Sequence, residues 1–241
     1  MVDTPISVDM GMPQAPVDRS TIAPLTEQTR AEAREIIARY PRSRSALLPM
    51  LHLVQSVQGY VSPDGIALCA DELDLTKAEV GAVATFYTMY RRSPAGTYHV
   101  GVCTNTLCAV LGGDAIFASL KDHLGLSHNE TSADGTISLE HLECVAACDY
   151  APVMMVNWEY YDEQTPQSAR DLVDALAAGN PPAPTRGPKQ LATFKEVSRV
   201  LAGWGDGLGQ EGPAAGPATL VGLEIAKQRG DTAPAYPSKE P

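Results

Sequence analysis

Four of the five cysteines form two close pairs whose spacing suits metal chemistry. Four residues separate Cys103 from Cys108, three separate Cys144 from Cys148, and 35 residues lie between the two pairs. Thiolate sulfur is a ligand for both zinc and iron–sulfur clusters. The two pairs are therefore candidates for one shared site, provided that the fold brings them together.

The gaps within the pairs help to distinguish these chemistries. Zinc knuckles typically have two residues between their cysteines, and a thioredoxin-type redox pair also needs two. A Rieske centre needs two histidines, but no Cys-x-His motif occurs and His141 stands alone before Cys144. A 2Fe–2S cluster needs four thiolates, two per iron, and tolerates longer gaps. The spacing thus favours a 2Fe–2S cluster, and it leaves zinc and unrelated buried or redox thiols as alternatives.

The residues near the cysteines are consistent with this interpretation. Small or polar side chains allow backbone N–H groups to approach charged sulfur. They occur within both pairs, at Thr104, Asn105, Thr106, Ala146 and Ala147. Cys69 differs, because it lies within "GIALCADEL" among apolar neighbours, and it is predicted to be a buried, inert thiol.

Composition excludes several functional classes. The chain has 241 residues and a formal net charge of -11, which disfavours binding to nucleic acid or anionic lipid. No apolar run approaches the roughly 20 residues of a membrane span. The first 20 residues lack the pattern of a secretory or organelle leader. We therefore expect a bacterial cytoplasmic protein whose cysteines are thiols or ligands, since disulfides are rare in that compartment.

The elements that must position the cysteines fall into two regions. Residues 25–92 predict a bundle of about four short helices, with N-caps at Thr26, Ser45, Ser62 and Thr76. Residues 93–179 predict the order β-α-β-β-α, with strands in "TYHVGVC", "TISLEH" and "PVMMVN". Together they predict an α+β protein, in which the second region is a small thioredoxin-like layer fold.

Both ends of the chain differ in composition from these regions. Residues 1–24 show no periodicity and predict a flexible arm. Residues 180–241 predict an extended tail, because nine Pro and ten Gly occur among the 63 residues from Gly179 onward. Spaced apolar residues in the tail favour docking onto neighbouring subunits rather than onto its own domain. We expect the stretch "PKQLATFKEVSRVLAGW" to form a helix when bound.

Two segments resemble a known family. "VATFYTMYRRSPAGTYHVGVCTNTLCAVLGG" and "ECVAACDYAPVMMVN" are similar to the small 2Fe–2S subunit of the NADH-oxidising module of respiratory NADH:quinone oxidoreductase, complex I. The resemblance covers roughly residues 25–178 and leaves both ends of the chain outside. The family's motif residues match at Cys103, Cys108, Cys144, Cys148, Pro152 and Asn157.

The resemblance implies an N-terminal helical bundle followed by a thioredoxin-like ferredoxin domain with one 2Fe–2S cluster. It implies that Cys103, Cys108, Cys144 and Cys148 are the iron ligands and that the chain has no catalytic residue of its own. FMN and NADH would lie on a partner flavin subunit, beside a large iron–sulfur subunit, in the peripheral arm at the cytoplasmic face of the inner membrane. Nucleic acid binding and membrane insertion are not expected.

Two other assignments remain open at this stage. The same module is used by NAD-linked hydrogenases and formate dehydrogenases, where it would carry out equivalent electron transfer. The second alternative belongs to another class, a thioredoxin-like zinc or thiol protein with a redox-sensing role.

Overall fold

A computed structural model of the protein describes residues 22–212 and 214–235. The arm predicted for residues 1–24 therefore lies almost wholly outside the described residues. The chain divides into two compact units, and the boundary lies between Pro94 and Ala95. The first unit contains helices and the second contains a sheet with helices, as the α+β prediction requires.

The first unit is built from short helices. Its helices are α1 (Glu27–Ile37), α2 (Leu47–Gln58), α3 (Pro63–Leu73) and α4 (Lys77–Phe86). Side-chain caps mark the starts of α3 and α4. Ser62 accepts a hydrogen bond from the Gly65 amide at 2.9 Å, and Thr76 and Glu79 form a capping box. The predicted cap at Ser45 is wrong, because Ser43–Ala46 forms a 3₁₀ turn that runs directly into α2.

Close packing and one ionic cluster join the helices of this unit. A Cβ atom on Gly65 of α3 would lie 2.2 Å from Cγ1 of Val54 in α2, so only glycine allows this approach. The Glu72 carboxylate accepts hydrogen bonds from Arg34 at 3.0 Å and Arg30 at 2.8 Å, which joins α3 to α1. Arg34 and Arg30 together hold the pKa of Glu72 below its usual value.

The second unit is organised around a mixed sheet. Within the described residues the sheet has five strands in the order β2-β3-β1-β4-β5. The strands are β1 (Tyr98–Cys103), β2 (Glu130–Thr131), β3 (Ile137–Leu142), β4 (Met154–Val156) and β5 (Glu159–Tyr161). The prediction placed β1, β3 and β4 but missed β2 and β5, which have only two and three residues.

The pairing of β1 with β3 decides where the cysteines lie. These two strands are parallel, and Cys103 at the end of β1 is in register with Leu142 at the end of β3. The loops that follow the two strands therefore leave the same edge of the sheet. One loop leads to Cys108 and the other contains Cys144 and Cys148.

Helices cover the sheet and complete the core of the second unit. They are α5 (Thr106–Val110), α6 (Gly113–Leu124) and α7 (Pro166–Ala177). Thr165 caps α7 as predicted, accepting a hydrogen bond from the Ser168 amide at 3.1 Å. Val100, Ile116 and Leu176 are fully buried in the core that these elements share. Among the described helices, none is long and apolar enough to cross a membrane.

The residues after Gly179 combine extended stretches with two helices, α8 (Phe194–Leu201) and α9 (Pro217–Arg229). Phe194 is only 1% exposed, and its amide donates a hydrogen bond to the Thr97 carbonyl at 2.9 Å. The Asn157 side chain donates to the Ala192 carbonyl at 2.8 Å. The expectation that the tail would avoid its own ferredoxin domain is therefore wrong for residues 182–204, and α8 forms without a partner chain.

Candidate iron–sulfur centre

The first cysteine pair is buried at the end of β1. Cys103 is the last residue of that strand, Cys108 lies in α5, and each is 2% exposed. The turn between α5 and α6 passes very close to both residues. A Cβ atom on Gly113 would lie 2.4 Å from the Cys103 carbonyl oxygen and 2.9 Å from that of Cys108. Only glycine therefore permits the backbone to fold back over this pair.

The second pair lies in the loop between β3 and β4 and is exposed. Cys144 follows β3 by two residues, and Cys148 begins a 3₁₀ turn that ends at Tyr150. The two sulfur atoms are 3.8 Å apart. Ala146 between them has a φ of 56°, a left-handed conformation in which a small side chain limits the strain.

Direct hydrogen bonds hold the two cysteine loops together. The Asn105 side-chain amide donates to the Glu143 carboxylate at 2.6 Å, and each residue lies beside one of the cysteine pairs. The Thr104 amide also donates to the Leu142 carbonyl at 3.3 Å. Sequence reasoning noted Asn105 only as a small polar residue and missed Glu143. Their pairing depends on the parallel register, which periodicity cannot reveal.

A small apolar cluster lies beneath the two pairs. Cys103 and Cys108 pack with buried Ala147 and Val153. The partly buried residues packed against this cluster are Val145, Tyr150, Ala151 and Tyr160. The first pair therefore forms a buried side of the site, shielded from water, and the second pair forms an exposed side.

Two thiols of this site, those of Cys108 and Cys148, have raised pKa values. Burial, with a smaller contribution from the neighbouring Cys103, raises the pKa of Cys108 to about 11. The pKa of Cys148 is raised by its hydrogen bond with Cys144 and by the nearby charge of Cys144 and then of Cys103. At neutral pH these two groups are protonated, which makes them poor nucleophiles. A bound cation is what would convert such thiols into thiolates.

The arrangement fits a metal centre that uses thiols in pairs. All five cysteines lie in the described part of the chain, and none forms a disulfide. A tetrahedral metal with metal–sulfur bonds of about 2.3 Å places two thiolates about 3.8 Å apart. Cys144 and Cys148 are separated by this distance. Among residues 22–212 and 214–235, no three Cys, His, Asp or Glu side chains gather around one metal-sized point. A 2Fe–2S cluster takes two thiolates at each iron.

Two other residues considered in the sequence, Cys69 and His141, have different surroundings from the two cysteine pairs. Cys69 is fully buried in α3, and burial raises the pKa of its thiol to about 12, as expected for an inert residue. His141 lies in β3, and its Nδ1 atom is 3.5 Å from the Thr104 hydroxyl. Its ring packs against that of His128, with the ring centroids 4.2 Å apart. Its neighbours are therefore side chains of its own domain.

Comparison with known proteins decides between the remaining chemistries. The sequence profile of the family described as thioredoxin-like [2Fe-2S] ferredoxin matches residues 33–177. The E subunit of NADH-quinone oxidoreductase from Mycobacterium tuberculosis strain H37Rv is 59% identical over 212 residues, which cover 87% of this chain and 83% of that protein. The chain belongs to this family of thioredoxin-like 2Fe–2S subunits of NADH-quinone oxidoreductase.

A more distant relative supports the same assignment. The corresponding NADH-quinone oxidoreductase protein of Rickettsia bellii is 38% identical over 147 residues, 60% of this chain and 88% of that protein. A match of 212 residues to the mycobacterial protein takes in part of the segment after Gly179, whereas the rickettsial match is much shorter. Membership of the family confirms the predicted fold class, the oxidoreductase class and the single 2Fe–2S cluster.

A solved structure is similar in fold. A chain of an NAD⁺-reducing [NiFe]-hydrogenase in the air-oxidised state superposes on this chain with a TM-score of 0.52 at 19% identity. The match covers 78% of this chain but only 28% of the hydrogenase chain. At that identity the likeness shows a common fold, while the mycobacterial and rickettsial relatives, at 59% and 38% identity, carry the family assignment.

Proposed function

We propose that this chain is the one-electron carrier of an NADH-quinone oxidoreductase. We also propose that Cys103, Cys108, Cys144 and Cys148 are the only protein ligands of its 2Fe–2S cluster. One observation carries the assignment: parallel strands β1 and β3 end at one edge of the sheet, with one cysteine pair beyond each strand. The cluster, when bound, supplies a site that takes up and releases a single electron.

The two cysteine pairs have different roles at this site. The first pair binds from the buried side and excludes water there, since Cys103 and Cys108 are each 2% exposed. The second pair binds from the exposed side, where Cys144 and Cys148 leave the edge open to a partner. Asn105 and Glu143 keep the two loops at a fixed separation. We assign no catalytic residue to the chain, because electron transfer needs no proton donor or nucleophile from it.

Partners follow from the family, whose members are subunits of a larger oxidoreductase. We propose that this chain exchanges electrons with the flavin- and NADH-binding subunit and that the large iron–sulfur subunit lies nearby. An exposed second cysteine pair supports this, because transfer between redox centres requires that partner and cluster approach closely. We place the assembly in the peripheral arm at the cytoplasmic face of the inner membrane.

A related function is the equivalent role in an NAD⁺-linked hydrogenase. The fold likeness to the hydrogenase chain favours it, although at 19% identity that support concerns the fold alone. Purification of the native complex separates the two assignments. Co-purification of quinone-reducing activity supports our proposal, and co-purification of a nickel-containing subunit with hydrogen-oxidising activity contradicts it.

Serine variants test the ligand set. Cys144→Ser replaces a proposed ligand, whereas Cys69→Ser is the matched control, because Cys69 is buried in the other unit. We expect Cys144→Ser to lose or strongly alter the visible and electron paramagnetic resonance (EPR) spectra and Cys69→Ser to keep both. A wild-type spectrum in Cys144→Ser, or loss of the cluster in Cys69→Ser, would contradict the assignment.

Electron exchange with the flavin subunit tests the function itself. The chain is reduced chemically and mixed with the oxidised flavin subunit in a stopped-flow instrument. We expect reoxidation of the cluster at a rate that rises with the concentration of flavin subunit, and a much slower rate when that subunit lacks its flavin. Equal rates with and without flavin would rule out flavin as the electron partner.

A further inference from the structure

Arg186 lies in the segment after α7, beyond the residues that the family profile matches. Its guanidinium group lies over the Tyr160 ring, 4.2 Å from the centroid, and 5.3 Å from the centroid of the Tyr150 ring. It also forms an ion pair with Asp162 at 2.9 Å. The Arg186 and Asp162 side chains are only 12% and 9% exposed, so the pair is largely withdrawn from water.

Both tyrosines connect this cation to the loop that carries the second cysteine pair. The Tyr160 hydroxyl donates to the Val145 carbonyl at 3.3 Å, one residue after Cys144. Tyr150 ends the 3₁₀ turn that Cys148 begins. Both rings pack against the buried cluster that contains the first cysteine pair. Arg186 therefore touches the side chains that support both ends of the second pair's loop.

The tail fixes Arg186 in this position through several bonds. The Thr185 amide donates to the Tyr160 carbonyl at 2.9 Å, and the Thr185 hydroxyl donates to the Asp162 carboxylate at 2.8 Å. Arg186 itself donates to the Ala214 carbonyl at 3.3 Å. A guanidinium group held by this many neighbours keeps one orientation, as a positioning role requires.

The start of α9 contacts the same loop. The Ala218 amide donates to the Tyr150 hydroxyl at 3.2 Å, and the Thr219 hydroxyl donates to the Asp149 carboxylate. Tyr150 is thus held between Arg186 and the tail residues that precede and begin α9. These tail contacts add to the bonds that hold the loop of the exposed Cys144 and Cys148.

We propose that Arg186 is a positioning residue for the cluster: it clamps the second cysteine loop and raises the reduction potential. The inference rests on the proposed ligand set. Reduction adds one negative charge to the site, and a fixed, partly desolvated cation nearby favours that state. Removing the cation also leaves the Asp162 carboxylate without its ion pair. Both effects act in the same direction and lower the potential.

The test compares full-length chains that carry the cluster. Arg186→Gln removes the charge, Arg186→Lys keeps it but loses the planar stack, and Arg199→Gln is the matched control. Arg199 makes a similar stack in the same tail, 3.8 Å from the centroid of the Trp204 ring. Each variant is titrated electrochemically while EPR reports the reduced cluster, and a chelator measures the rate of cluster loss.

We expect Arg186→Gln to have a lower midpoint potential than wild type and to lose its cluster to the chelator about tenfold faster. Arg186→Lys should recover most of the potential but not the slow rate of loss, and Arg199→Gln should match wild type in both. A wild-type potential in Arg186→Gln, or the same shift in Arg199→Gln, would overturn the inference.

A second comparison keeps the test decisive if Arg186→Gln fails to accumulate with a cluster. Tyr160→Phe keeps the ring but removes the bond to Val145, so we expect an altered EPR line shape and faster cluster loss. Wild-type behaviour of both Tyr160→Phe and Arg186→Lys would overturn the proposed clamp. These results are distinct from failure of the ligand set, which a wild-type spectrum in Cys144→Ser or loss of the cluster in Cys69→Ser would indicate.

Discussion

At the scale of residues, burial affects thiols in two different settings. Cys69 and Cys108 are both almost fully buried, and burial raises the pKa of each thiol. Cys69 is surrounded by the helical core, whereas Cys108 lies beside Cys103 and near Cys148. Sequence spacing distinguishes these two settings, because only the paired cysteines are candidates for a shared metal site. Spacing could not show that one pair is buried and the other exposed.

A buried histidine gives the first unit a defined response to acid. Nδ1 of His52 is buried without a hydrogen-bond partner, and its ring packs 4.8 Å from that of Tyr90. Burial lowers the pKa of His52 from 6.5 to about 4. Between these values the unfolded chain binds a proton that the folded chain does not. The neutral His52 therefore leaves the free energy of unfolding unchanged above pH 6.5. As the pH falls from 6.5 toward 4, the free energy of unfolding decreases.

We expect the His52 proton to lower the free energy of unfolding of the first unit by up to about 3 kcal/mol on acidification. His52→Phe keeps an aromatic ring against Tyr90 but cannot titrate. Amide hydrogen exchange in α2, measured at several pH values from 7 to 4.5, should show a smaller loss of protection in His52→Phe than in wild type. The same pH dependence in both proteins would mean that His52 is not the group responsible.

At the scale of elements, the sequence predicted most of what positions the site. The capping residues Ser62, Thr76 and Thr165 mark helix starts that the structure confirms. The short strands β2 and β5 carry too few residues for a periodic signal, so they were missed. Ser45 failed as a cap because a 3₁₀ turn, closed by backbone bonds, replaces the expected first turn of α2. The parallel register of β1 and β3 depends on tertiary pairing, which no local pattern specifies.

The geometry of the first cysteine pair depends on Gly113, the first residue of α6. Ala at this position would place its Cβ 2.4 Å from the Cys103 carbonyl oxygen, and backbone atoms would have to move. We expect Gly113→Ala to destabilise the second unit by about 1–3 kcal/mol and to reduce the iron bound per chain. Iron analysis and thermal unfolding measure the two effects.

Gly81→Ala is the matched control for this prediction. Gly81 lies in α4, and an added Cβ would meet nothing within 4 Å. Alanine there should leave the iron content unchanged and stabilise the helix by about 0.4–1 kcal/mol. If Gly113→Ala binds as much iron as Gly81→Ala, the close approach over the first pair is not required.

At the scale of the whole molecule, the segment after Gly179 is part of the second unit. Its Pro and Gly content correctly predicted extended stretches, but composition could not show that Phe194 and Pro188 are buried. Apolar residues that serve as anchors look alike in sequence whether they dock on their own domain or on a partner. In α9 the apolar residues Leu220, Val221, Leu223 and Ile225 are exposed.

Two truncations separate the contributions of the tail. Ending the chain after Gly179 removes the buried Phe194 ring and the Arg186 contacts, and we expect a lower melting temperature and faster cluster loss. Ending it after Gly216 removes α9, in which no residue is buried, and should lower the melting temperature much less. Equal melting temperatures for the full chain and the chain that ends after Gly179 would show that the tail does not stabilise the domain.

In the proposed site, two pairs of thiolates hold one two-iron cluster that accepts one electron. Iron, zinc and acid-labile sulfide are measured on the purified full chain, together with EPR spin quantitation after reduction. We predict two irons, two sulfides and no zinc per chain, with one unpaired spin per cluster in the reduced protein. Stoichiometric zinc without sulfide, or a reduced protein with its two irons but no spin, would contradict it.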